Sequence, residues 1–349
     1  MENTKSNTIG RKRDYSVDLF RCILMVMVIV LHSFTYGVDF YHISNYNFVY
    51  AVLNSFCIVA VNCFFFISGY FKIKYKPKKI LFLIIGCLTY SFIWEFIDSI
   101  IHNNSLISVE LVKVIGRADM GIKSYWFIVV YVLLCFLAPY LNSLFDKMNK
   151  KEGFRFLVII SLINFFVGYL FDQVGIGRGY TLYQGIYMYF VGVYISQNID
   201  WIRKKVKRCH MFFGYVVLSL ITAIMSYALY YIIKKGLGVP FYYNNPLVIV
   251  SSVLIACVFI GMPFKANRVT TFFSSISKYT LGVYLITGYS IAVTIIFKPM
   301  VSLLSHIPNH ILRSLVIIAY AVLLFFISIF IEFLRRKLYY FIKNLIGKA

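Results

Sequence analysis

Arg21 and His32 are two ionisable side chains inside the first strongly apolar segment of the chain, which runs from Leu19 to Tyr36. Eleven positions separate them, so at about 100° per residue they share nearly the same helix face, roughly 16 Å apart along the axis. Asp18 lies three residues before Arg21, close enough to pair with it on that face. A charge in hydrocarbon costs several kcal/mol unless it is paired or faces a polar cavity. The spacing therefore predicts a functional site on one face of a membrane helix.

The two side chains supply complementary chemistry. An imidazole exchanges protons near neutral pH and can act as a general base, whereas a guanidinium binds carbonyl or phosphate oxygens. The alternative is a structural role, in which Arg21 extends its charge to the lipid headgroups and His32 packs between helices. The alignment of both side chains on one face favours function.

The composition indicates a membrane protein. Hydrophobic residues make up 60% of the 349 positions and charged residues 14%, whereas soluble domains carry about a quarter charged residues. Apolar segments near the ~20 residues that span a bilayer recur along the chain. We place ten, at about 16–36, 47–71, 80–101, 124–146, 155–171, 181–199, 211–233, 246–264, 277–297 and 311–334. The sequence therefore predicts an all-α, polytopic integral membrane protein with about ten transmembrane helices.

The basic residues predict the orientation of these helices. If the N-terminus is cytoplasmic, 26 of the 35 Lys and Arg residues fall on the cytoplasmic side and eight fall outside. This asymmetry is the positive-inside pattern and places both termini in the cytoplasm. The net charge of +22 is then explained by orientation and by contact with anionic membrane lipids, and nucleic acid is excluded as a partner.

The chain divides into a basic cytoplasmic N-terminal segment at 1–15, a transmembrane domain at 16–334 and a basic, amphipathic cytoplasmic tail at 335–349. No loop much exceeds twenty residues, so any site must be built among the helices. The outer loop at 102–123 could hold a short interfacial helix. The seven cysteines and six histidines show no metal-ligand spacing, so we expect neither a metal ion nor a disulfide framework.

Five motifs follow one another along the chain. They are YSVDLFR at 15–21 with His32, FFFISGYF at 64–71, YWFIVVYVLLCFLAPYLN at 125–142, YFVGVY at 189–194 and SKYTLGVYLI at 277–286. The segments at 64–71, 125–142 and 277–286, each taken alone, are explained better by helix packing than by function; Ser68 and Gly69, for example, permit close helix approach. Together, over residues 14–290, they resemble the membrane acyltransferase-3 family, most of all its branch that O-acetylates bacterial surface polysaccharides. The Arg-x10-His element is the most specific part of the resemblance.

The resemblance implies transfer of an acyl group, usually acetyl, from cytoplasmic acetyl-CoA or another acyl-CoA. The acceptor would be a hydroxyl group of an extracytoplasmic surface polysaccharide or of its lipid-linked precursor. It further implies a multi-pass protein of the bacterial plasma membrane, whose partners are membrane lipids, the glycan acceptor and proteins of polysaccharide assembly.

Carried over to this chain, the resemblance makes Arg21 and His32 the catalytic pair and Asp18 the accompanying acid. Lys78 and Lys79 would attract the phosphates of the acyl-CoA near the cytoplasmic entrance. His32 would either deprotonate the acceptor hydroxyl or carry the acyl group itself, and the sequence does not separate these two routes.

Two further residues are candidates for substrate binding. Trp126 matches a Trp-Phe pair of the family, although it would also suit the aromatic belt at the outer interface. Glu95, inside the third predicted helix, would bind sugar hydroxyl groups or pair with a nearby cation. Two positions depart from the family pattern: Thr287 stands where a histidine usually ends the last motif, and Lys123 or Ser124 where a histidine often precedes Trp126.

Two other functions remain open at this stage. A polytopic exporter of a glycan or small solute would also carry intramembrane charges, but its permeation path does not require His32. A non-catalytic partner in polysaccharide assembly would be consistent with Thr287. Acyl transfer is the preferred interpretation because it alone uses Arg21 and His32 together.

Overall fold

The computed structural model describes residues 14–103, 125–172 and 175–346, which contain helices and connecting segments but no strand. The α-helices are α1 (Tyr15–His32), α2 (Phe48–Cys57), α3 (Ala60–Tyr70), α4 (Pro77–Asn103), α5 (Trp126–Asp146), α6 (Lys150–Ile163), α7 (Leu182–Lys205), α8 (Arg208–Ile232), α9 (Pro246–Phe259), α10 (Arg268–Ile276), α11 (Thr280–Thr287), α12 (Ser290–Ser305) and α13 (His310–Ile346). π-helical segments extend α1 through Ser33–Val38 and α6 through Asn164–Leu170. Three expectations fall on residues outside the described ranges. They are most of the N-terminal basic segment, most of the interfacial helix expected at 102–123, and the positions Lys123 and Ser124.

The predicted all-α membrane architecture is confirmed. Within the described ranges, eight helical segments are long and apolar enough to cross a membrane, and α10–α11 with α12 makes a ninth if that bent pair is one crossing. α7 is not among them although its 24 residues exceed the length of a span. Glutamine, asparagine and tyrosine side chains lower its hydropathy, and a helix enclosed by other helices needs no lipid-facing surface. If α7 and the bent pair both cross, the described residues contain the ten crossings expected; by length and hydropathy alone they contain eight or nine.

α1 lies at the centre of the bundle. Its N-terminus is fixed by Asp14, whose carboxylate accepts hydrogen bonds from the backbone N–H groups of Ser16 (3.1 Å) and Val17 (3.3 Å). Along its length α1 contacts α2, α3, α9, α10, α11 and α13, and 67% of its span is buried. A helix with so many neighbours is restrained in its rotation about its own axis and in its position along that axis. This restraint fixes the positions of its polar side chains.

α3 and α7 pack closely because glycines stand at their contact. A Cβ atom added to Gly69 would lie 1.9 Å from the carbonyl oxygen of Tyr189, and one added to Gly192 would lie 2.2 Å from that of Phe66. Ser68 turns its hydroxyl back to the Phe64 carbonyl oxygen (2.8 Å), so it presents no unpaired donor to the interface. The close helix approach expected at Ser68 and Gly69 is confirmed.

α13 continues as one helix to Ile346, with no break at the expected start of the tail at 335. Glu332, which is 1% exposed, accepts hydrogen bonds from Arg335 (2.7 and 2.9 Å) and from Arg336 (2.6 Å). The Tyr90 hydroxyl on α4 donates to the same carboxylate (2.9 Å). Gly282 leaves the space that this carboxylate occupies, since an added Cβ would lie 2.3 Å from Glu332 Cγ. The first arginines of the tail therefore belong to the helix interface.

Candidate functional site

Asp18 and Arg21 form the predicted pair on α1. Arg21 Nη1 lies 3.4 Å from Asp18 Oδ1, and the second carboxylate oxygen, Oδ2, accepts a hydrogen bond from the Ser274 hydroxyl on α10 (2.6 Å). Asp18 is 7% exposed, whereas the Arg21 side chain is 37% exposed. The carboxylate is therefore fixed from two helices and orients a guanidinium that still reaches an open space.

His32 lies at the other end of the same face of α1. Its ring centroid is 5.7 Å from that of Tyr36, one turn further along, and 6.1 Å from that of Tyr284 on α11. The ring also approaches the backbone carbonyl of Thr287. Nδ1 is buried and has no hydrogen-bond partner among the described residues. His32 is therefore held by packing and retains a nitrogen for exchange of a proton.

The backbone changes character on both sides of His32. On its own chain, the α-helix gives way to the π-helical segment Ser33–Val38, a form that is frequent at functional sites. Opposite, α11 ends at Thr287 and α12 leaves at 91° from Ser290. Carbonyl groups at a helix C-terminus carry partial negative charge and stabilise a nearby cation. The end of α11 is therefore suited to stabilise the imidazolium that forms when His32 takes up a proton.

Thr287, the position at which a histidine was expected, lies at this break. Its hydroxyl donates to the Val283 carbonyl oxygen of its own helix (3.0 Å), so the hydroxyl proton is used within α11. The residue contributes its backbone to the site and not its side chain.

A small cavity of about 40 Å³ adjoins His32. α1 lines it with Met25, Val28 and His32, and α5 contributes Trp126 and Phe127. Since one water needs roughly 10–15 Å³ of such space, the cavity holds about three small atoms or waters. The structure thus brings His32 and Trp126, two predicted site residues from distant parts of the chain, to one cavity.

Aromatic side chains extend this site to the surface. The Trp126 ring lies 4.7 Å from that of Tyr180 and 5.9 Å from that of Tyr243, and Tyr180 and Tyr243 are 4.8 Å apart. Tyr180 is 50% exposed and Tyr36 is 53% exposed, so this aromatic vestibule opens outward. Burial raises the pKa of the neighbouring Tyr41 phenol, which stays protonated and available as a donor. Rings and phenol groups in this arrangement suit a sugar, which has apolar C–H faces and hydroxyl edges.

The loop after α6 completes the vestibule. Tyr243 N–H donates to the Arg178 carbonyl oxygen (3.1 Å), and the Arg178 guanidinium lies 5.7 Å from the Tyr242 ring. Gly179 adopts φ +77°, and an added Cβ would lie 2.7 Å from Tyr243 Cβ. A residue without a side chain is therefore required for Tyr180 to reach Trp126.

Glu95 lies outside the cavity. Its Oε1 accepts a hydrogen bond from the hydroxyl of Tyr289, which lies in the break between α11 and α12 (2.6 Å). The Tyr289 ring is 5.6 Å from that of Tyr125, whose hydroxyl donates to the Leu285 carbonyl oxygen (2.9 Å). Glu95 thus contacts the break between α11 and α12 and does not line the cavity beside His32.

Lys78 and Lys79 are exposed at the start of α4. The preceding loop is fixed to its neighbours, because Ile73 N–H donates to the Tyr189 hydroxyl (3.1 Å) and Asn142 Nδ2 to the Ile73 carbonyl oxygen (3.2 Å). The two lysines lie at the end of the bundle where α1 begins, but the structure does not bring them into contact with Arg21.

Sequence analysis did not identify Ser274, Tyr36 or Tyr284 as parts of the site. Tyr36 could have been found, since it lies four residues after His32 and therefore on the same helix face. Tyr284 was part of a quoted motif without an assigned role. Ser274 carried no signal, because its contact with Asp18 joins residues 256 positions apart.

Comparison with known proteins gives one result that bears on this site. A family model for the acyltransferase-3 family, described as an acyltransferase domain, matches residues 14–333. The match therefore includes Asp18, Arg21, His32 and Trp126 as well as the break between α11 and α12. Searches of curated proteins and of solved structures gave no match.

Proposed function

Because the chain belongs to the acyltransferase-3 family, we propose that it transfers an acetyl group from acetyl-CoA to a hydroxyl group of a surface polysaccharide or its lipid-linked precursor. The observation that carries the proposal is the position of His32. It adjoins a cavity of acetyl size that is continuous with an aromatic vestibule, while Arg21 lies about 16 Å away on the same face of α1. The bacterial plasma membrane, with both termini cytoplasmic, is the setting we propose for this reaction.

Arg21 would bind the donor. A guanidinium forms strong, directed hydrogen bonds to phosphate and carbonyl oxygens, and Asp18 holds it in one orientation. Lys78 and Lys79, exposed at the same end of the bundle, would raise the local concentration of the anionic coenzyme by long-range attraction. The acyl thioester then has to reach from this end toward His32.

His32 would act on the acceptor. As a general base it removes the proton of the sugar hydroxyl while the oxygen attacks the thioester carbonyl; the carbon–sulfur bond breaks and the proton passes to the departing thiolate. In the alternative route, the imidazole nitrogen attacks the thioester carbonyl and displaces the thiolate. The hydroxyl oxygen then attacks the acyl-imidazole, the carbon–nitrogen bond breaks, and the hydroxyl proton passes to the thiolate. The carbonyl at the end of α11 would stabilise the positive imidazole in either route.

Two observations support acetyl transfer over solute export. A cavity of about 40 Å³ accommodates the three non-hydrogen atoms of an acetyl group but not a sugar ring. The vestibule rings and phenol groups suit recognition of a sugar from the outer side, and an acceptor needs to approach only as far as His32.

The first test is the acetyl content of the surface glycan, measured by NMR in a strain that lacks the gene and carries wild-type protein, His32→Ala or His306→Ala. His306 is exposed at the end of α12 and serves as the matched control. We expect wild type and His306→Ala to restore O-acetyl signals, and His32→Ala to restore less than about 1%, since a general base contributes about 10²–10⁴-fold.

Equal protein levels in the membrane fraction are required for this comparison. Full acetylation with His32→Ala would contradict the assigned role of this residue. Unchanged acetylation in the deletion strain, together with loss of the glycan from the cell surface, would contradict acyl transfer and support export.

A further inference from the structure

A second cavity, of about 450 Å³, lies on the other side of α1 from His32. On α1 it is lined by Leu19, Ile23, Val26 and Val30, whose spacing of three or four residues places them on one helix face. At about 100° per residue, this face points roughly 180° away from the face that carries His32. α1 therefore separates the polar site from an apolar groove.

The groove lies where the α2–α3 crossing changes its neighbours. α2 contacts α8 and α13, whereas α3, which continues the same crossing, contacts α7 and α9. The last turn of α2 closes one end of the groove with Leu53, Phe56 and Cys57. Beyond that turn no described helix fills the space between α8 and α13, and Val322 and Phe326 on its rim are 38% and 40% exposed. The groove is open sideways, toward the membrane.

The walls of the groove are hydrocarbon. Its tyrosine, Tyr215, donates its hydroxyl to the Phe56 carbonyl oxygen (2.8 Å), and the Cys22 thiol is directed to the Phe273 carbonyl oxygen (3.8 Å). Apolar cavities of this kind stay dry, and an empty one leaves its lining atoms without contacts. The volume falls within the ~300–1,000 Å³ that is usual for ligand sites. The occupant must therefore be an apolar chain.

We propose that the groove binds one acyl chain of a phospholipid from the leaflet in which α1 begins. From Leu19 to Val30 the groove rises about 16 Å, close to the hydrocarbon depth of one leaflet, which is half of about 30 Å. Arg268, an exposed cation at the start of α10, lies five residues before Phe273, which lines the groove; this is an offset of about 7 Å along the axis of α10. A lipid phosphate at that level would lie beside a positive charge.

The isoprenoid chain of a lipid-linked acceptor is a poorer occupant. Its sugar would have to pass around α1 to reach His32, and the groove is closed by α2 at the end nearer the aromatic vestibule. A phospholipid chain in the groove instead packs against the face of α1 opposite the one that carries Asp18, Arg21 and His32. It would support the height and rotation of α1.

The test uses the full-length protein in nanodiscs that contain phosphatidylglycerol with a photoactivatable diazirine in one acyl chain. After irradiation, adducts are mapped by mass spectrometry in wild type, Val26→Trp and Leu323→Trp. Val26→Trp fills the groove, whereas Leu323 is 58% exposed on α13 and does not line it. We expect adducts on the peptide that contains 23–30 to fall at least fivefold in Val26→Trp and to stay unchanged in Leu323→Trp.

Val322→Trp fills the groove from α13 and replaces Val26→Trp if that variant does not elute as a single species. The proposal is overturned if labelling of 23–30 is equal in all variants, or if labels lie only on outward-facing residues of α13. It is also overturned if an added polyprenyl phosphate displaces the phospholipid label, because the groove would then belong to the acceptor.

Discussion

At the scale of single residues, Asp18 joins two parts of the bundle. One carboxylate oxygen holds Arg21 on α1 and the other accepts from Ser274 on α10. A guanidinium that is fixed in this way loses less rotamer entropy when it binds an anion. We therefore propose that the buried acid is a positioning residue for the donor site.

Asp18→Asn keeps the size of the side chain and its bond to Ser274 but removes the negative charge beside Arg21. We expect the KM for acetyl-CoA to rise about fivefold to tenfold, which corresponds to the net worth of one ordinary hydrogen bond, about 1–1.5 kcal/mol. The measurement is acetyl transfer by the purified protein at varied acetyl-CoA concentration and saturating acceptor.

Asp146→Asn is the matched control, because Asp146 is an acid at the same end of the molecule that pairs with Lys72 instead. An unchanged KM in Asp18→Asn, or an equal change in both variants, would show that Asp18 does not orient the donor site.

Sequence could predict the contacts within α1 and not those between helices. The pairing of Asp18 with Arg21 and the shared face with His32 follow from helix periodicity alone. The meeting of His32 with Trp126 and Thr287 depends on how helices far apart in the chain pack, which periodicity does not encode. Glu95 was recognised as an intramembrane acid, but its partner, Tyr289, became known only from the fold.

At the scale of elements, α3 and α7 are held at a distance that only glycine allows. Gly69→Ala places a methyl group against the backbone of α7 at Tyr189, and a backbone cannot move aside as a flexible side chain can. We expect the free energy of unfolding to fall by about 1–3 kcal/mol, the usual cost of overpacking. The measurement is the Tm of the detergent-solubilised protein, which should fall by several degrees.

Gly86→Ala provides the control. It is the same change in another membrane helix, where an added Cβ would meet its nearest neighbours at 3.4 Å, an ordinary contact. We expect its Tm to stay within a degree or two of wild type. Equal Tm values for Gly69→Ala and wild type would mean that α3 and α7 do not pack as described.

Apolar run length located nearly every crossing, but it gave a misleading picture of two elements. α7 was expected as an ordinary span. It is instead a helix enclosed by its neighbours, and its polar side chains, such as the buried Gln184, are hydrogen-bonded to other helices. The segment expected at 277–297 is broken at 287–290, because no local signal distinguishes a helix that bends by 91° around a site from one that continues.

At the scale of the whole molecule, the number of crossings fixes the relation between the two ends of the chain. If α7 and the bent pair both cross, ten passages return the C-terminus to the side of the N-terminus; nine would place the ends on opposite sides. We expect green fluorescent protein fused after Ala349 to fluoresce and alkaline phosphatase at the same position to be inactive, as cytoplasmic fusions behave.

Fusions after Arg178, in the loop between α6 and α7, serve as the reciprocal control and should give active phosphatase without fluorescence. Active phosphatase after both Arg178 and Ala349 would show an even number of crossings between these two positions and would place the cations at the end of α13 outside.

The break at Thr287 bears on how active relatives of this chain are recognised. His32 is approached by the main chain at this position, while the threonine hydroxyl bonds within its own helix. A carbonyl group is common to every amino acid, so residue 287 can be exchanged without altering what it offers to His32. Sorting sequences by side-chain identity at this position would then set aside competent enzymes, whereas sorting them by the geometry of the helix end would keep them.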